Sequence, residues 1–92
     1  LIHRVPDPML LAISLIEAGR QCVIDKSRDH LAERVLRTAL KIVRQIAPDA
    51  DELKAQNLRY LGIILCRLGK HGDAQRCNIE ASYCADRAGL TL

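Results

Sequence analysis

Ninety-two residues allow one small domain, residues 1–92, with a high surface-to-volume ratio and little room for an enclosed catalytic cavity. Apolar residues make up 49% of the chain, but Phe and Trp are absent and only Tyr60 and Tyr83 are aromatic, so the core must be close-packed Leu, Ile, Val and Ala. The net charge of +3 is small for a nucleic-acid binder, and no run approaches the ~20 apolar residues of a membrane helix.

The opening Leu1-Ile2-His3-Arg4-Val5-Pro6 lacks the charged-then-apolar order of a signal peptide, and a start at Leu1 without Met is expected of a piece of a longer chain or a processed product. Asp7 then offers a helix cap, with Pro8 at the first helical position, where a missing amide costs nothing. Leu11, Leu15, Ala18 and Cys22 step by four, three and four, which predicts one apolar face on a first helix running to about Val23. The polar stretch Asp25-Lys26-Ser27-Arg28-Asp29 ends it, and Ser27 or Asp29 is expected to cap the second helix. That helix carries a wide apolar stripe from Leu31 to Ile46 and stops before Pro48. Asp49 or Asp51 starts a third helix with acidic residues near its positive end, which runs through Leu53, Leu58, Leu61, Leu65 and Leu68 to a left-handed cap at Gly69. Asp73 is expected to cap a fourth helix that carries Ala74, Cys77, Ala81, Cys84, Ala85 and Ala88 and closes at Gly89.

Ala32 and Ala39 recur 42 residues later as Ala74 and Ala81, and the apolar positions around them follow the same offset: Val35 falls on Cys77, Ile42 on Cys84 and Ile46 on Ala88. A period in this range marks stacked helical pairs, each too small to bury its own apolar face alone. The fold class predicted is therefore all-α: antiparallel helical hairpins over residues 7–47 and 50–89, stacked as repeats. The alternative is a closed four-helix bundle with short loops.

In the second hairpin Leu61-Gly62, Leu65, Gly69, Ala74 and Ala81 resemble a tetratricopeptide (TPR) repeat. The 42-residue period is similar to the long form found in kinesin light chain, where the common form has 34. The first hairpin fits less well: counting back from Ala32 places Arg20 where a small residue belongs, and a loop longer by one residue would restore Gly19. Gly62, Ala74, Ala81, Ala32 and Ala39 are the expected helix-packing positions, with little bulk where helices cross, and Gly62→Leu or Ala74→Leu should overpack. The position that usually holds an aromatic is Leu36 in one hairpin and Asn78 in the other, so the Asn78 face is either open or covered from outside the chain.

The resemblance implies a non-enzymatic protein–protein interaction module whose first helices line a concave groove. The partner-binding positions would be Gln56, Arg59, Ile63 and Arg67: two cations about an apolar residue, suited to a peptide or helix bearing an acidic residue. Ile63 stands where the family's carboxylate clamp has Asn, which argues against a chaperone-tail docking module. A second class of function is an all-helical dimerisation or regulatory domain of a larger enzyme or transcription regulator. With fewer than three repeats the ends remain open, so self-association or further repeats are expected, with Cys84, Ala85 and Ala88 covered by a partner. The stripe Arg34, Arg37, Lys41 and Arg44 reads as a solvated convex face.

Catalytic chemistry is not expected. His3, His30 and His71 are scattered, Ser14, Ser27 and Ser82 lack a nearby His, no phosphate loop is present, and the only conceivable metal cluster is His71 with Cys66 and Cys77. No cofactor or metal is therefore predicted. Cys22, Cys66, Cys77 and Cys84 read as small buried hydrophobes in a reducing, cytoplasmic setting. Cys77 and Cys84 lie about 10 Å apart along one helix, out of reach of a disulfide.

Overall fold

The computed structural model describes residues 7–90. Four α-helices follow one another: α1 Pro8–Asp25, α2 Asp29–Ile46, α3 Asp51–Arg67 and α4 His71–Arg87. Residues 1–6 and 91–92, including His3, lie outside the described residues.

The ends show which local signals operate. Asp7 accepts a hydrogen bond from the Met9 amide at 2.9 Å with Pro8 at the first turn, as expected. α3 begins at Asp51 with Asp51 and Glu52 in its first turn, as expected, whereas α2 and α4 differ from the expected capping. Arg28, at φ 58°, precedes α2, Ala50 precedes α3 and Lys70 precedes α4, and none of these helices has a side-chain cap. Ser27, Asp29, Asp49 and Asp51 are thus not caps, and Asp73 lies inside the first turn of a helix that begins at His71. These acids serve their helix starts by charge, opposite the positive end of the macrodipole. Gly69 and Gly89 do close α3 and α4, at φ 78° and 74°. At each, the second residue beyond the helix cap reaches back, Lys70 to the Leu65 carbonyl and Leu90 to that of Ala85, both at 2.8 Å.

α1 pairs with α2 and α3 with α4 as antiparallel hairpins, and α3 lies against both helices of the first hairpin. Among the described residues α4 packs along α3, reaches α2 only through side chains and does not approach α1, so the four helices form an open stack of two hairpins, not a closed bundle. The core lies between the hairpins: Ala32, Leu36, Ala39, Leu40 and Val43 from α2, Leu58, Leu61, Ile64 and Leu65 from α3, Ala12 and Ile16 from α1. Each large aliphatic side chain removed from water contributes about 1.5–3 kcal/mol. α4 adds only Ala74 and Cys84, as the outermost helix of the stack must.

The expected small residues sit at crossings: Ala32, Ala39, Ala74 and Gly62 are buried and Ala81 is half-buried. Gly19, not Arg20, occupies the corresponding place in the first hairpin. It is buried, and a Cβ built there would lie 2.4 Å from Leu36 Cδ2. The extra residue relative to the second hairpin is taken up by α1, which carries six residues beyond Gly19 where α3 has five beyond Gly62.

Three further expectations need correction. The buried face of α1 is Ala12, Ile16 and Gly19; of the expected face, Leu11 and Ala18 are exposed and Leu15 and Cys22 only half-buried. Cys84 is 3% exposed within this chain and so is not available to a partner, although Ala88 is exposed. Cys66 is an exposed thiol, not a buried hydrophobe, because it falls on the solvent side of the last turn of α3.

Candidate functional site

The four residues expected to bind a partner lie along α3 at helical spacing, but the structure divides them. Arg67 is engaged inside the fold. Its guanidinium donates to the carbonyls of Val23 (3.0 Å) and Cys22 (3.2 Å) near the end of α1, and to Asp29 Oδ1 (2.6 Å) at the start of α2. It ties the second hairpin to the first and is not a groove cation. The reason is positional: α3 ends beside the C-terminus of α1, whose orphan carbonyls attract a cation.

Gln56 and Arg59 are exposed and line an open groove of about 450 Å³ between α3 and α4, with Ala55, Ala81 and Ala85 along it and Asn78 at its rim. Ile63 lies outside this groove, one turn further along α3, and is 40% exposed. Arg59 has no ion-pair partner among the described residues. In the first hairpin the matching positions are Ala12, Ile16, Leu36, Ala39 and Val43, all buried in the stack. The second hairpin leaves the same groove open and replaces Ile16 by Arg59 and Leu36 by Asn78. Asn78 is exposed, so its face is open to solvent within this chain. A second cleft, of about 520 Å³, is bordered by Asp49, Asp51 and Glu52, but its one cation, Arg87, already pairs with Asp51 at 3.3 Å.

The basic stripe on α2 is likewise divided. Arg44 grips both carboxylate oxygens of Glu80 at 2.7 and 2.5 Å, and Arg37 stands between Glu33 (2.9 Å) and Asp73 (3.7 Å). These two link α2 to α4 and are not merely a solvated face. Arg34 and Lys41 are exposed and carry no ion pair among the described residues.

Glu33, which the sequence reading passed over, is 9% exposed and accepts from Lys70 Nζ at 2.9 and 3.0 Å as well as from Arg37. The Glu33–Arg37 spacing of four was a readable signal. The bond across the stack from Lys70 was not. The Lys70 bond, then that from Arg37, holds the Glu33 carboxyl below its ordinary range despite burial. A depressed folded pKa stabilises the fold above the unfolded value near 4.3 and is lost as pH falls through the folded value. Stability is therefore expected to drop on acidification below about pH 4.3, and Glu33→Gln should be less stable at neutral pH and flatter in its acid dependence. Denaturant midpoints for both proteins between neutral pH and the acid limb check this; parallel curves would assign the acid sensitivity elsewhere.

Cys66 Sγ and His71 Nδ1 approach to 3.9 Å, and no group of three His, Cys, Asp or Glu among the described residues is arranged to hold a metal ion. Burial raises the Cys77 and Cys84 thiols, keeping both protonated and unreactive. Among the described residues no helix is long and apolar enough to cross a membrane.

The class the fold defines is a pair of stacked antiparallel helical hairpins, the second of which leaves the groove between its helices open. Comparisons with protein-family models, curated proteins and solved structures found no match to this chain.

Proposed function

We propose that this chain is a non-enzymatic, TPR-like interaction module that binds a helix or extended peptide of a partner protein across Gln56, Arg59 and Ile63. The observation that carries the reading is Arg59, an exposed cation without an ion pair among the described residues. It stands where the first hairpin has buried Ile16, in a groove with small alanines along it. An apolar ligand side chain can enter beside Ala81 and Ala85 while an acidic residue meets the guanidinium, and Ile63 extends the apolar contact by one turn. The free state of all four cysteines is in keeping with a reducing, cytoplasmic compartment.

Selection of a random peptide library on the immobilised protein tests this. Enriched peptides should carry Asp or Glu within one helical turn of an aliphatic residue, and Arg59→Glu should weaken their binding at least tenfold while helicity is kept. No enrichment, or binding that Arg59→Glu leaves unchanged, would remove the site.

A further inference from the structure

The two hairpins present the same groove twice, once bordered by a neighbouring helix and once not. On the second hairpin it is formed by Leu58, Leu61, Asp73, Arg76, Cys77 and Glu80, and α2, packed on α3, borders it with Leu40 and the ion pairs Arg37–Asp73 and Arg44–Glu80. On the first hairpin a groove of about 150 Å³ is lined by Leu15, Leu31, Arg34, Val35 and Thr38. They match all but Leu61 of those positions moved back by one repeat, 43 residues on the first helix of the pair and 42 on the second. None of the remaining helices lies over it, since α3 covers the opposite side of this hairpin.

The bordering helix can be moved by the same step. The α4 residues that match Arg37 and Arg44 are Ile79 and Asp86. The ion pair Arg37–Asp73 then becomes Ile79 against Leu31, two aliphatic side chains that are 64% and 43% exposed in the single chain. The pair Arg44–Glu80 becomes Asp86 against Thr38, which is flanked one turn either way by Arg34 and Lys41. Asp86, Arg34 and Lys41 all lack an ion pair among the described residues. Both sides of the contact have changed together: charge against charge has become apolar against apolar, and the cation–anion order is reversed. At the place of Leu40, α4 has Ser82, so the apolar contact shifts to Ile79.

We propose that a second copy of this chain docks head to tail, its α4 seated on the Leu15–Leu31–Val35 groove of the first, with Ile79 on Leu31 and Asp86 between Arg34 and Lys41. Such a contact is heterologous, and because the step from hairpin to hairpin repeats in one sense and is not a two-fold, it extends into open chains and does not close at a dimer. The inference goes beyond the partner-binding reading. Leu31 and Ile79 lie outside the Gln56–Arg59–Ile63 site, so a Leu31→Asp chain keeps its peptide binding and the two readings fail separately.

Light scattering and sedimentation of the full chain over a wide concentration range provide the test. The weight-average mass should rise past twice the 10.3 kDa chain mass without a plateau. Leu31→Asp alone and Ile79→Arg alone should each move the rise to at least tenfold higher concentration, as should the uncharged Leu31→Ser and Ile79→Ser, with helicity intact since both positions are exposed. The double variant Leu31→Asp with Ile79→Arg rebuilds the internal ion pair across the junction and should restore association. A chain that stays at monomer mass, a mass that stops at the dimer, single variants without effect, or a double variant that does not recover would each overturn the proposal.

Discussion

Gly19→Leu is expected to destabilise the chain by about 3 kcal/mol or more, the upper range for overpacking a filled core. For a domain of this size that lowers Tm by roughly 12 °C or more. The cause is a single neighbour: a Cβ at Gly19 falls 2.4 and 2.5 Å from Leu36 Cδ2 and Cγ, and Leu36 is fully buried. Gly19→Ala should cost about 0–2 kcal/mol net, since overpacking of about 1–3 kcal/mol is offset by the roughly 1 kcal/mol that alanine gains over glycine in a helix. Gly62 is the informative contrast. A Cβ there meets Asn78 Oδ1 at 2.5 Å, but Asn78 is exposed and can swing away, and the nearest backbone atom, the Ala74 carbonyl oxygen, is at an ordinary 3.7 Å. Gly62→Ala should therefore be neutral or stabilising by up to about 1 kcal/mol. Thermal and denaturant melts followed by circular dichroism compare the two; equal losses at both glycines would mean that the Leu36 and Asn78 sides of the hairpins are equally tight.

Arg67→Glu is expected to cost about 2–4 kcal/mol, because it removes charge-assisted bonds to the end of α1 and sets a carboxylate beside Asp29. The bonds lost are those to Cys22, Val23 and Asp29, in a side chain only 26% exposed. Arg59→Glu, on the same helix but in the open groove, should stay within about 0.5 kcal/mol of the parent. The pair separates structure from recognition: stability responds at Arg67 and ligand binding at Arg59. A denaturant midpoint that Arg67→Glu leaves in place would return that arginine to the candidate surface.

Much of the helical framework was legible because Pro and Gly act locally. Pro8, Pro48, Gly69 and Gly89 each bound a helix close to where chain chemistry alone puts the boundary. Two helix starts were not, because side chains near α2 and α4 were read as hydrogen-bonding caps whereas the backbone turns without one, through a left-handed Arg28 in the case of α2. The repeat offset located the alanines at the crossings, and it located Gly19 once the frame was allowed to slip by one residue. Arg67 was misread for a different reason. Its face on α3 follows from helical spacing, but its partners lie 38 to 45 residues away, and only the seating of one hairpin on the other brings them within reach. Asn57 was passed over too: it is fully buried among the leucines of α3, and neither its amide nitrogen nor its oxygen has a partner among the described residues.

Because every helix touches only its sequence neighbour or the one after it, the open stack also has a kinetic meaning. No contact requires the two ends of the chain to find each other, so the loop-closure entropy that slows folds with distant pairings is small here. Folding can begin in either hairpin and spread to the other. In the folded molecule α4, which contributes only Ala74 and Cys84 to the buried core, is the element that opens at least cost. The order in which backbone amides exchange with solvent is thereby set by distance from the α2–α3 seam, and α4 leads it.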